Sequence, residues 1–193
     1  MRSDNLYELP KDLPVPQDDG AANHLTGAEV PPVALMSTQG RRVSLAEVSR
    51  RGRVVVFGYP RTGVPDRDPP PGWDAVPGAR GCTPQTCGFR DHHEEYRSLG
   101  TEVFGLSVQD TDYQREMAGR LKLPFEVLSD VDHELRRAMR LPTFDIQGNT
   151  LLKRIALVLN KGRVEKVFYP VFPPDRSSAE VLAWLRANPV QST

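Results

Sequence analysis

Cysteine is almost missing from this sequence: among 193 residues there are two, Cys82 and Cys87. Two thiols cannot build the disulfide framework of a small secreted scaffold, so the fold must rest on a hydrophobic core. Neither sign of charge prevails. The 25 basic and 25 acidic residues cancel, which removes the electrostatic ground for expecting nucleic acid or an anionic membrane as a main partner. Long apolar runs are missing too: stretches such as Val54 to Phe57 fall far short of the ~20 residues a membrane span needs. The first ten residues hold no continuous apolar region and include acidic side chains, against a secretory leader or a transit peptide. Together these absences predict a soluble, cytoplasmic protein. With 38% hydrophobic residues, the length suits one sizeable core in one domain.

What is present divides into an arm and a patterned domain. Residues 1–30 are polar, rich in Pro, Asp and Gly and without apolar period, and are expected to form an irregular, extended lead-in to a domain over residues 31–189. A short strand from Val33, a turn at Gln39-Gly40, a strand over Arg42 to Leu45 and a brief helix to Arg50 come first. Val54 to Tyr59 is β-branched and aromatic without polar alternation, which predicts a central strand buried on both faces. Pro60 to Gly81, including Pro69-Pro70-Pro71, can be neither helix nor interior strand and reads as a long Pro-rich loop. One helix is expected from Cys82 to Leu99, ended by Gly100. A strand (Glu102 to Ser107), a helix (Asp110 to Leu121), a strand (Phe125 to Leu128) and a helix (Asp132 to Met139) follow. Leu152 to Leu159 and Val164 to Tyr169 read as a hairpin, and Ser177 to Ala187 as a closing helix. Parallel crossovers followed by an antiparallel hairpin describe an α/β protein of the thioredoxin-like fold, a central mixed sheet flanked by helices.

The chemistry is sought in Gly81-Cys82-Thr83-Pro84-Gln85-Thr86-Cys87-Gly88. Cys82 falls in the first turn of its helix, where unpaired N–H groups and the positive dipole end favour an anion such as a thiolate. Pro84 is tolerated there because first-turn N–H groups have no intrahelical partner. Two buried, inert cysteines are the bland alternative. A zinc site with His92 or His93 is disfavoured, because Cys82, Cys87 and His92 would point three ways from one helix. Neither histidine can serve Cys82 as a base, since ten or eleven helical residues place them roughly 15–17 Å away. They read as padding of a half-buried helix face, and His24 and His133 as surface residues.

The segment Gly81-Cys82-Thr83 … Cys87-Gly88-Phe89-Arg90-Asp91 resembles the active-site helix of the bacterioferritin comigratory protein, or peroxiredoxin Q, family. Further similar segments lie in order along the chain: Val54 to Pro60, Phe104 to Ser107, Pro124 to Asp130 and Arg154 to Val158. The resemblance implies a peroxidase without metal or organic cofactor, reduced by a thioredoxin-like partner. A monomer or homodimer is expected. It also implies roles: Cys82 peroxidatic, Cys87 resolving, Arg154 supporting the thiolate and the polarised peroxide, with Arg80 or Arg90 as possible helpers. One departure stands out. The family carries Thr or Ser three residues before its peroxidatic cysteine, whereas Ala79 occupies that place here, after a long insertion. Either Thr62, Thr83 or a backbone group substitutes for it, or peroxidase activity is weak.

Two rival functions share the same residues. A thioredoxin-class thiol–disulfide oxidoreductase would normally show Cys-x-x-Cys, which this chain does not. A non-catalytic redox sensor would use oxidation of Cys82 to reshape the helix for a partner to read.

Overall fold

The computed structural model describes residues 5–65 and 67–190. Its centre is the strand Arg53–Gly58 (β3), every residue of which is buried. Alternation splits its side chains between two cores. Val54 and Val56 join one with Leu45, Phe104, Leu135 and Leu157, while Val55 and Phe57 join the other with Phe89, Met117, Val127 and Leu182.

Seven strands build the main sheet: Ala34–Ser37 (β1), Arg42–Ser44 (β2), β3, Thr101–Ser107 (β4), Glu126–Ser129 (β5), Ile155–Asn160 (β8) and Arg163–Phe168 (β9). Their spatial order is β2-β1-β5-β4-β3-β8-β9. β3 runs parallel to β4 and β4 to β5, whereas β8 pairs antiparallel with β3 and β9. The expected mixed sheet is thus formed, with Val56 facing Phe104 on one side and Leu157 on the other. The first core is covered by helices Leu45–Arg51 (α1) and Glu134–Met139 (α5). The second is covered by Cys82–Asp91 (α2), His93–Ser98 (α3), Thr111–Leu121 (α4) and Ser177–Ala187 (α6). Acidic side chains open several of them: Asp110 caps α4 by accepting from Tyr113 N at 2.8 Å. The lead-in to β1 is irregular, yet Ala22, Leu25 and Val30 are buried in the first core.

Three expectations need correction. The helix predicted from Cys82 to Leu99 is two helices, broken at His92 (φ −93°, ψ 7°), where the ring Nδ1 meets Ser178 Oγ at 3.1 Å. The strand predicted over Leu152 to Leu159 is interrupted at Lys153 and Arg154. Its first residue belongs to a separate hairpin of Thr143–Ile146 (β6) and Asn149–Leu152 (β7), turned by Gln147 and Gly148 at positive φ. Leu45 begins α1 instead of ending the second strand. The long loop is neither strand nor α-helix, but one 3₁₀ turn at Trp73–Ala75 pins it: Trp73 is buried with Ala79 and Leu151 and lies against Phe144.

No described helix is long and apolar enough to cross a membrane, and the described residues contain no cluster of three or more His, Cys, Asp or Glu placed to hold a metal.

Candidate active site

α2 begins where the long loop ends, and its first residue is Cys82. Gly81 is the N-cap at φ +97°, a conformation that only glycine takes cheaply. A Cβ there would stand 2.3 Å from Pro174 Cγ and 2.7 Å from Leu9 Cδ2, so the position is closed to side chains on steric grounds as well. Gly88, just past the middle, lets α2 approach the start of α6, since its missing Cβ would already lie 3.4 Å from Asp175 O and 3.5 Å from Ser178 Cβ.

The Cys82 side chain is buried, 3% exposed. Its thiol points at Ala79 O (3.6 Å), and Arg154 Nη2 donates to its sulfur at 3.3 Å. Arg154 is placed by the break between β7 and β8, which turns it out of the ladder and into the molecule. Burial of a guanidinium is tolerated only where acceptors surround it. Here Nη1 donates to Gln85 Oε1 at 2.5 Å, and Nη2 also faces Arg80 O, Gly78 O and Ala79 O at 2.9, 3.1 and 3.3 Å. Gln85 is fully buried and its amide reaches Ser177 Oγ (3.4 Å), so α6 holds the glutamine that holds the arginine. No carboxylate contacts Arg154 among the described residues. The structure thus brings Cys82 and Arg154 together, as their spacing along the sequence could not show.

Cys87 lies on the same helix in a different setting. It is half-buried against the second core, and burial pushes its thiol above the ordinary value, with Arg90 pulling it partly back. Five residues of regular helix separate the two sulfur-bearing residues by about 7.5 Å along the axis and roughly 140° around it. Both stand as free thiols.

A pocket of about 100 Å³ opens over Cys82, with Thr62, Ala79, Arg80, Gly81, Thr83 and Tyr113 in its lining. Thr62 is buried and committed: its N–H donates to Gln109 Oε1 at 3.1 Å, its hydroxyl to the same oxygen at 3.4 Å, and its carbonyl accepts from Tyr113 Oη. Arg80 is turned toward Asp74 (3.3 Å), and Arg90 toward Asp91 and Leu121 O. His92 and His93 lie at the far end of α2, where burial lowers the pKa of His93 and its ring lies near that of Phe125. Gln85 was not among the residues singled out from sequence. A buried amide one turn after a helix-start cysteine carries no signal until its arginine partner is known.

The redoxin family model matches residues 25–182 of the chain. Peroxiredoxin Q of Gentiana triflora chloroplasts is 32% identical over 188 residues, covering 94% of this chain and 78% of that protein. This chain belongs to the redoxin family, in its peroxiredoxin Q branch. Peroxiredoxin Q of Sedum lineare is similar at 34% identity over 83% of the chain and 77% of its own length. Among solved structures, peroxidoxin BcpB of Mycobacterium tuberculosis superposes with a TM-score of 0.71 at 25% identity, over 88% of this chain and all of that one. Xanthomonas campestris peroxiredoxin Q, at 19% identity and a TM-score of 0.64 over 92% and 99%, shares the fold. Like its family, this peroxiredoxin is a thiol-dependent peroxidase of the thioredoxin-like fold.

Proposed function

We propose that Cys82 is the peroxidatic nucleophile, Arg154 its charge partner and Cys87 the resolving thiol. The carrying observation is the 3.3 Å contact from the buried Arg154 guanidinium to Cys82 Sγ. A guanidinium with only neutral acceptors around it gains most when that sulfur is a thiolate, and the same fixed donor faces the oxygen on which charge grows as the O–O bond breaks.

In the first step the Cys82 thiolate attacks one peroxide oxygen. An S–O bond forms, the O–O bond breaks, and the leaving oxygen departs as water or alcohol after taking a proton; Cys82 becomes a sulfenic acid. The Cys87 thiolate then attacks that sulfur, an S–S bond forms and water leaves. A dithiol of the thioredoxin-like class returns both cysteines to thiols by exchange, its own pair becoming the disulfide. Resolution needs the first turn of α2 to open, because about 8–9 Å between Cα atoms exceeds what a disulfide spans. Both cysteines lie on one helix, so a monomer suffices, as would each subunit of a homodimer. A reducing compartment such as the cytoplasm supplies the exchange partner.

With Ala79 offering no hydroxyl, the backbone is the best donor to the peroxide. Gln85 N is the first to bond back along α2, to Gly81 O, which leaves the Cys82 and Thr83 N–H groups at the helix start.

Rapid mixing with hydrogen peroxide tests the assignment. Cys82 should oxidise far faster than a free thiol, one equivalent should yield a Cys82–Cys87 bond by mass spectrometry, and Cys82→Ser should not turn over. Oxidation at free-thiol speed would instead favour disulfide exchange or a sensor.

A further inference from the structure

The wall of the Cys82 pocket opposite the helix comes from two segments. One is the long loop, through Arg61 to Val64 and Arg67 to Pro70; the other is the extreme N-terminal part of the described chain, through Asn5, Leu6 and Glu8. The second segment precedes the redoxin match, which starts at residue 25. It is folded on itself: Tyr7 N donates to Asn5 Oδ1 at 3.0 Å and Glu8 N to Asn5 O at 3.3 Å. It is also anchored twice. Leu9 fills the space beside Gly81 that a Cβ would take, and the Tyr7 hydroxyl lies against the Arg120 guanidinium. Arg120 Nη2 meanwhile donates to Gly63 O at 3.1 Å, so one arginine on α4 holds both walls.

The geometry points to a size filter: we propose that the Asn5 to Leu9 turn sets which peroxides reach Cys82, with Leu6 as the specificity-determining residue in the wall and Leu9 as the residue that seats the turn beside Gly81. About 100 Å³ is below the ~300–1,000 Å³ of sites that enclose drug-sized ligands. It favours hydrogen peroxide and short-chain alkyl hydroperoxides over aryl and lipid hydroperoxides. Leu6 and Leu9 are both half-buried, so shortening Leu6 thins the wall and shortening Leu9 loosens the seat of the turn on Gly81, without touching Cys82, Arg154 or Gln85.

The inference rests on the peroxidase reading, and one experiment separates the two. Reduced full-length protein is mixed with hydrogen peroxide and, separately, with cumene hydroperoxide, and the two rates of Cys82 oxidation are compared as a ratio. The wild type should favour hydrogen peroxide. In the double variant Leu6→Ala, Leu9→Ala the ratio should move toward cumene hydroperoxide by about tenfold, and in Tyr7→Phe by roughly two- to threefold in the same direction. An unchanged ratio in the double variant overturns the filter, as does a wild type that takes cumene hydroperoxide as fast as hydrogen peroxide. A wild-type Cys82 that reacts with hydrogen peroxide no faster than a free thiol overturns the peroxidase reading and the filter together.

Discussion

Cys82 and Cys87 share a helix and a chain neighbourhood yet occupy opposite environments. Cys82 meets a buried cation across 3.3 Å at the base of a small pocket, while Cys87 is half-buried against apolar neighbours, and that burial pushes its thiol up. The lesson is that reactivity is set by what reaches a sulfur from elsewhere in the fold. Arg154 arrives from the β7–β8 break, 72 residues along the chain from Cys82, and Gln85, though on the same helix as both cysteines, is steadied from α6 by Ser177.

The contrast breaks first at Cys82. Cys82→Ser is expected to reduce peroxide consumption with a thiol donor to background, measured as steady-state turnover; retained turnover would move the chemistry to Cys87. Cys87→Ser should also stop multiple turnover, yet leave the first oxidation of Cys82 nearly as fast. One peroxide equivalent should then leave a sulfenic acid that a dimedone-type probe captures.

Arg154→Met is expected to slow that first oxidation by about 10²–10³-fold, the scale of removing one preorganised donor from a developing charge. Stopped-flow comparison with Arg154→Lys separates charge from geometry, and Lys should recover only part of the loss because a point charge cannot hold Gln85 and the three carbonyls together. A smaller effect falls on stability. Gly81→Ala forces a φ of +97° and two close contacts, for a cost of about 1–3 kcal/mol. At this chain length the melting temperature should drop by roughly 2–4 °C per kcal/mol.

The smallest effect is a pH dependence that belongs to Cys87 alone. Burial raises its folded-state pKa, so above the ordinary cysteine value the opened segment loses the proton more readily than the closed one. Closed-helix stability must therefore fall as pH rises through that window and be unaffected below it. Amide exchange between Gly81 and Gly88, compared at mildly alkaline and neutral pH in wild type and Cys87→Ser, should show the added opening only in the wild type.

The sequence disclosed those features that depend on local pattern. The unbroken β-branched run became the doubly buried β3, the glycine-flanked cysteine segment became a helix start, and Ser177 to Ala187 became α6. What it hid depends on distant partners. His92 carries no breaking residue type, and the helix interruption there coincides with a contact to Ser178 on another helix. The break at Lys153 and Arg154 sits within apolar residues that resemble one strand, and only the pairing of Leu152 with Thr143 reveals that the chain has changed sheets. Gln85 and the Leu9 seat on Gly81 were invisible for the same reason, since each is defined by a group many residues away.

The stacking of Phe89 on Phe57, centroids 4.3 Å apart and nearly parallel, fastens the far half of α2 to the sheet. Opening is therefore limited to the part of α2 ahead of Phe89, and for a Cys82–Cys87 bond to form the Cys82 sulfur must travel away from Arg154. On the roles proposed for the two cysteines, the site that performs the attack would be dismantled by its own product: one catalytic cycle would also be one round of disassembly and rebuilding, and the reductant would restore an architecture as well as two electrons.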